Sequence, residues 1–160
     1  MNRQKDKFFG KLPTTSIESE DSNLTIRCKF NFSYFSVQQE SQDFCDWNHN
    51  ELVSLLNKLK NYSEKSLTEW RNETAGKAGT VLSVYGKFPV RSAFTMPPHV
   101  PIEAEWGRFR LGNCVRFVGF ILPTAHHNKT HSITGERFDS NTFYVVFLDK
   151  DHKFYSIEKK

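Results

Sequence analysis

The stretch Trp106-Gly107-Arg108-Phe109-Arg110-Leu111-Gly112-Asn113-Cys114-Val115-Arg116-Phe117-Val118-Gly119-Phe120-Ile121-Leu122 decides the fold class of this chain. Its first residues place Trp106, Arg108 and Arg110 on one side and Phe109 and Leu111 on the other, the period of two of a β-strand. Gly112-Asn113 suits a tight reversal, and Val115 to Leu122 reads as the strand that returns. An antiparallel hairpin is the nucleus of the reading.

Toward the C-terminus, Pro123 to Asp139 is polar and holds His126, His127, Asn128 and Gly135, so it reads as a long surface loop. Asn141 to Leu148 is almost wholly apolar and β-prone, the composition of a central strand covered on both faces. Asp149-Lys150-Asp151-His152 turns the chain, because Asp side chains bond nearby backbone amides, and Phe154 to Ile157 is expected to pair back as a last short strand.

Toward the N-terminus, Met96-Pro97-Pro98-His99-Val100-Pro101 continues neither a helix nor a central strand, since each proline fixes φ and lacks a donor. Thr80 to Tyr85 is β-branched enough for a strand or an extended connection, and Glu73 to Gly79 is a glycine-containing loop. Ser66-Leu67-Thr68-Glu69 has capping-box spacing and opens a short helix through Trp70. Leu52, Leu55, Leu56 and Leu59 recur at the spacing of one helical face, with Asp46 or Asn48 as the cap and Lys58 and Lys60 near the end. From Arg27 to Val37, Cys28, Phe30, Phe32 and Tyr34 alternate with polar residues as in a half-buried strand. Residues 1–23 are polar and rich in Ser, Thr and Glu, which predicts a flexible arm ahead of a single domain over 24–160.

The sum is an α+β domain: a twisted antiparallel sheet of about five or six strands, with the two helices of the N-terminal half packed on one face. A chain of 160 residues with 38% hydrophobic residues and 15 Phe has ample material for that core. Its apolar runs are far shorter than the roughly 18 residues of a membrane span, and its start carries no apolar leader, so a cytoplasmic protein without membrane contact is expected. The three cysteines, Cys28, Cys45 and Cys114, form no C-x-x-C pair and read as buried small hydrophobes.

Net charge is +4, the sign expected for a partner that carries phosphates. The candidate phosphate-binding group is Arg108, Arg110, Arg116 and Lys153; His152 and Tyr155 are the candidate proton-transfer residues. The alternative is a solvated sheet face in which the arginines pair with Glu103, Glu105 or Asp149. His126, His127 and His131 form H-H-x-x-x-H, but Asn128, Thr130 and Gly135 argue against the helix that would align them, so no metal and no cofactor is assigned. Asp149 and Asp151 fall short of the convergent carboxylates of a two-metal nuclease. Aromatic residues at strand spacing read as core. A stacking platform for single-stranded nucleic acid needs aromatics among Lys and Arg, and that pattern occurs only at Phe109 and Phe117 beside the three arginines. There is no P-loop, no G-x-G-x-x-G after a strand and no G-x-S-x-G.

Three stretches taken together, Ser66 to Arg71, the strand pair around Trp106 to Phe109 and Arg116 to Phe120, and Asn141 to Tyr155, resemble a family of small bacterial proteins of uncharacterised function. That family ends in FYVVWLDPDHNLY; here Phe147 stands for its Trp and Lys150 for its Pro, and this chain has no His near Phe117, where the family carries a phrase resembling R-V-H-G-F. The resemblance implies a fold and a unit of organisation, without a mechanism. Two helices ahead of an Arg-bearing antiparallel sheet and a terminal Lys/His/Tyr cluster are also similar to the RelE/ParE-like toxin architecture. That likeness implies basic residues on an RNA backbone and a Tyr or His that takes up the 2′-hydroxyl proton. The expectation is therefore a small toxin-like or defence-associated protein that engages RNA, as a metal-independent ribonuclease or without catalysis. The alternative is a non-enzymatic interaction module whose sheet edge or Leu-rich helix docks a protein such as an antitoxin.

Overall fold

The computed structural model describes residues 3–12, 15–112 and 115–155. Within them, α1 (Arg3–Phe9), β1 (Lys29–Asn31), α2 (His49–Tyr62), α3 (Leu67–Asn72), β2 (Leu82–Gly86), β3 (Glu105–Arg110), β4 (Arg116–Ile121) and β5 (Thr142–Asp149) follow in order. The strands form one five-stranded sheet in the order β1-β5-β4-β3-β2. The α+β class and the strand count agree with the sequence reading.

β2, β3, β4 and β5 are antiparallel neighbours, whereas β1 runs parallel to β5. The departure from an all-antiparallel sheet has a simple cause. β1 is the first strand and β5 the last, so no hairpin links them and the long intervening chain sets their relative direction. β1 is also shorter than the alternation from Arg27 to Val37 predicts; the chain turns at Ser33 and Tyr34, then stays beside β5 through Ser36 N–H to Val146 O at 2.9 Å.

Asn48 and Ser66 each accept the backbone N–H of a Glu three residues on, while that Glu returns to the cap amide. These reciprocal bonds fix where α2 and α3 begin. α2 buries Leu55 and Tyr62, and α3 buries Leu67 and Trp70, against Phe109, Phe117, Phe143 and Leu148 of the sheet. The expected four-leucine face is narrower than its spacing implies: Leu56 is 63% exposed while Leu55 is 5% exposed. α1 has no buried residue.

Among the described residues no helix covers the opposite sheet face. There Phe88, Phe94 and Val100, from the irregular stretch between β2 and β3, pack with Trp106, Phe120, Phe147 and Phe154. The C-terminal stretch thus departs from the expected last strand: Phe154 plugs this second core at 1% exposure instead of pairing. Ile157 lies outside the described residues. So do Asn113 and Cys114 of the β3–β4 reversal, where Leu111 N–H meets Val115 O at 3.0 Å.

Two irregularities shape the sheet. Register slips between Val118 and Gly119 of β4, so that Val146 and Phe147 of β5 both enter the second core. Gly119 is required there, because a Cβ would collide with the Tyr144 carbonyl and come within 2.9 Å of Phe143 Cε1. The other slip falls between Val84 and Gly86 of β2 and leaves Tyr85 as the extra residue of a bulge. Gly86, at φ +87°, takes the backbone conformation that closes it.

Candidate functional site

Register brings the basic residues to one end of the sheet. Arg108 of β3 lies opposite Ser83, Arg110 opposite Arg116, and Arg116 opposite Asp149. What the side chains then do separates them. Arg110 reaches sideways and donates from Nη1 to Ala75 O at 2.9 Å, pinning the loop between α3 and β2. Arg116, 3% exposed, donates from Nη1 to Gly112 O and Val115 O, both at 2.8 Å, and so holds the β3–β4 reversal. Lys153 turns to Glu40 at 2.9 Å and Asp151 at 3.8 Å.

Arg108 meets His152 directly and is linked to Tyr155 through the ring of Tyr85, and the turn built by Asp149 is the reason. Its carboxylate, 1% exposed, accepts the N–H groups of Lys153 at 3.0 Å and Phe154 at 2.9 Å. Those bonds curl the chain back just past β5, with His152 in the left-handed region at φ +59°. The turn sets His152 Nε2 2.5 Å from Arg108 Nη1. A guanidinium only donates, so Nε2 accepts and the neutral ring carries its hydrogen on Nδ1. Tyr155, three residues on, stacks on Tyr85 with centroids 4.5 Å apart and planes 6° from parallel. The Arg108 guanidinium stands 5.6 Å from the Tyr85 ring centre.

Partial burial lowers the His152 pKa below its ordinary 6.5, and the positive charge of Arg108 lowers it further. Arg116 acts in the same sense, while a backbone hydrogen bond and Asp149 oppose it. The imidazole is therefore neutral at pH 7, in the form that takes up a proton. Burial raises the Tyr85 pKa against the pull of Arg108 and Arg116, so its phenol keeps its proton. A fixed cation, a neutral imidazole and two phenols on one patch can bind a phosphate and move a proton.

Tyr85 was not among the residues that the sequence singles out. Ser83-Val84-Tyr85 reads only as strand, and the bulge that turns Tyr85 onto Arg108 is a pairing irregularity with no local signature beyond Gly86. Phe109 and Phe117, which stand beside the three arginines in sequence, form no exposed stacking platform: both are fully buried beneath α2 and α3. The side of β3 that carries Phe109 faces the helices, so the arginines next to it in sequence point the other way.

The histidine loop is organised by its own backbone. Asn128 N–H bonds Phe138 O and Phe138 N–H bonds Lys129 O, with Thr130 bridged to Arg137. His131 Nδ1 accepts from Ile133 N–H and Thr134 N–H, and His127 Nδ1 accepts from Ser140 N–H. These rings cap turns. Among the described residues no group of three or more His, Cys, Asp or Glu is arranged to hold a metal ion, and no helix is long and apolar enough to cross a membrane.

The chain matches no protein-family model, no curated protein and no solved structure.

Proposed function

We propose that this chain engages RNA as a small toxin-like or defence-associated protein, and that Arg108, His152 and Tyr155 form a ribonuclease centre that needs no metal. The observation that carries the reading is the Arg108–His152 contact at 2.5 Å, a cation held against an imidazole that is neutral at pH 7.

A phosphodiester that enters the patch competes for the Arg108 donors, because a guanidinium bonds two phosphate oxygens more strongly than one neutral nitrogen. That exchange frees the Nε2 lone pair. The RNA 2′-oxygen then attacks phosphorus while its proton passes to His152 Nε2. The P–O5′ bond breaks, and O5′ leaves with the proton of the Tyr155 hydroxyl. The products are a 2′,3′-cyclic phosphate and a 5′-hydroxyl end, and the imidazolium returns its proton to the phenolate through water. Arg108 stabilises the extra charge on the phosphoryl oxygens at the transition state, an effect worth about 3–4 kcal/mol where such donors have been removed from enzymes.

The test is incubation of the purified chain with labelled mixed-sequence RNA at low and moderate salt, with and without chelator. Cleavage that survives chelation and disappears in His152→Ala is the expected result. Toxicity that persists with alanine at His152, Tyr155, Arg108, Arg110 and Arg116 together would sink the reading.

A second reading rests on α2. Leu56 is 63% exposed and Val53 43%, a small apolar strip on the helix side away from the sheet. Such a strip suits a protein partner, an antitoxin for example, and a chain that works this way gives a stable complex, no turnover and little dependence on salt. Absence of RNA binding even at low salt favours it.

A further inference from the structure

Resting on the RNA reading, we infer that the Tyr85–Tyr155 stack is a seat for one unpaired base beside the scissile phosphate, which makes single-stranded RNA the substrate class. Three observations converge on it.

The first is the β2 bulge. It leaves Tyr85 with no cross-strand partner and gives it to Arg108 and Tyr155 instead. Bulges that re-aim one side chain are enriched next to functional sites. The second is the stack itself. At 4.5 Å and 6° the two phenol rings lie flat on each other, and Tyr155, the outer ring, remains 39% exposed. Phe154, next to it, is 1% exposed and fills the core. The anchoring role is thus taken by Phe154, and the ring of Tyr155 is spent on the surface. The third is charge. Arg108 stands against Tyr85 and touches His152, so a base laid on Tyr155 has the phosphate-binding group within the same patch.

Stacking on an aromatic ring accepts any base, because every base has a π-face, but it requires that the base be out of a duplex. Specificity is then for strandedness and not for sequence. The ring and the hydroxyl of Tyr155 have separate duties here, binding and proton transfer, and substitution separates them.

The experiment measures binding of three labelled twelve-residue probes to the full chain at one fixed low salt: a 2′-O-methyl single strand, which cannot be cleaved, the same strand in a blunt duplex, and an abasic ribose-phosphate oligomer of equal length and charge. We expect the single strand to bind about tenfold or more tightly than the abasic oligomer, from the loss of one stacked base. Tyr155→Phe keeps that preference within about twofold, while Tyr155→Leu loses it and binds the single strand like the abasic oligomer. Equal binding of the single strand and the abasic oligomer, or an unchanged preference in Tyr155→Leu, overturns the base seat and leaves the phosphate-binding reading standing. Failure of all three probes to bind overturns that reading, and the base seat with it. Retained thermal unfolding of Tyr155→Leu, compared with wild type, excludes misfolding as the source of a loss.

Discussion

Arg108 joins three groups that are far apart in the chain: Ser83 across the ladder, Tyr85 in the bulge and His152 in the terminal turn. Its charge is one of three influences that hold the imidazole neutral, after burial, which acts most strongly, and ahead of the charge of Arg116. Arg108→Gln removes the charge and leaves most of the burial. The His152 pKa then rises toward 6.5 without reaching it, as followed by the imidazole Cε1–H resonance during a pH titration. The sign carries over to catalysis. A base is active when unprotonated, so under the proposed ribonuclease reading cleavage by the wild type should stay high as pH falls through 6.5 and decline only below it. In Arg108→Gln the decline begins at higher pH, and a midpoint that does not move, or moves down, contradicts the assigned cause. Asp149 shows the limit of reading residue types. A carboxylate near arginines reads as an ion pair, yet its two oxygens are occupied by the N–H groups of Lys153 and Phe154. It builds the turn that aims His152.

Local grammar governs the elements. The two capping boxes, at Asn48 with Glu51 and at Ser66 with Glu69, lie where the residue spacing puts them, because cap and partner are only three residues apart. The leucine repeat identified α2 but not which leucines its neighbours cover. Leu55 meets the sheet and Leu56 meets solvent. Leu55→Ala should cost about 2–5 kcal/mol through lost burial and a residual cavity. Leu56→Ala, on the exposed strip, should stay within about 0.5 kcal/mol in the free chain. Urea unfolding of the two variants checks both, and equal losses would mean that the helix is rotated from its present seat. Phe154 and Tyr155, the described part of the expected last strand, depart from it for a related reason. Phe154 to Ile157 has strand-like composition, but Asp149 consumes the amides of Lys153 and Phe154 that a ladder needs, and Phe154 finds a pocket among Phe88, Phe94 and Trp106.

At the scale of the whole molecule, the excess charge of +4 is small, so its placement matters more than its size. Most cations at the basic end are already engaged: Arg110 by Ala75, Arg116 by the β3–β4 reversal and Lys153 by Glu40. Among the described residues Arg108 is held by a neutral imidazole and a ring, both of which a phosphate can displace. RNA binding should therefore weaken with salt, with a log–log slope of about 0.7 per phosphate contacted on a single strand. Arg108→Ala should reduce that slope by about one such contact, whereas Arg110→Ala should leave it nearly unchanged. Titrations at several salt concentrations decide this, and equal effects of the two variants would return the arginines to a diffuse field. What the sequence by itself determined is the set of pieces: capped helices, a hairpin with alternating faces, a buried last strand and a turn after it. Each of these depends on neighbours within a few positions, or on which side chains prefer to leave water. Only the tertiary structure decided that β1 joins β5 in parallel, that Phe109 and Phe117 lie under helices, that Arg110 and Arg116 serve the loops, and that Tyr85 completes the cluster. Those outcomes rest on strand order, on register slips and on which of several partners wins a donor or an acceptor, and such competition is settled only when distant segments meet.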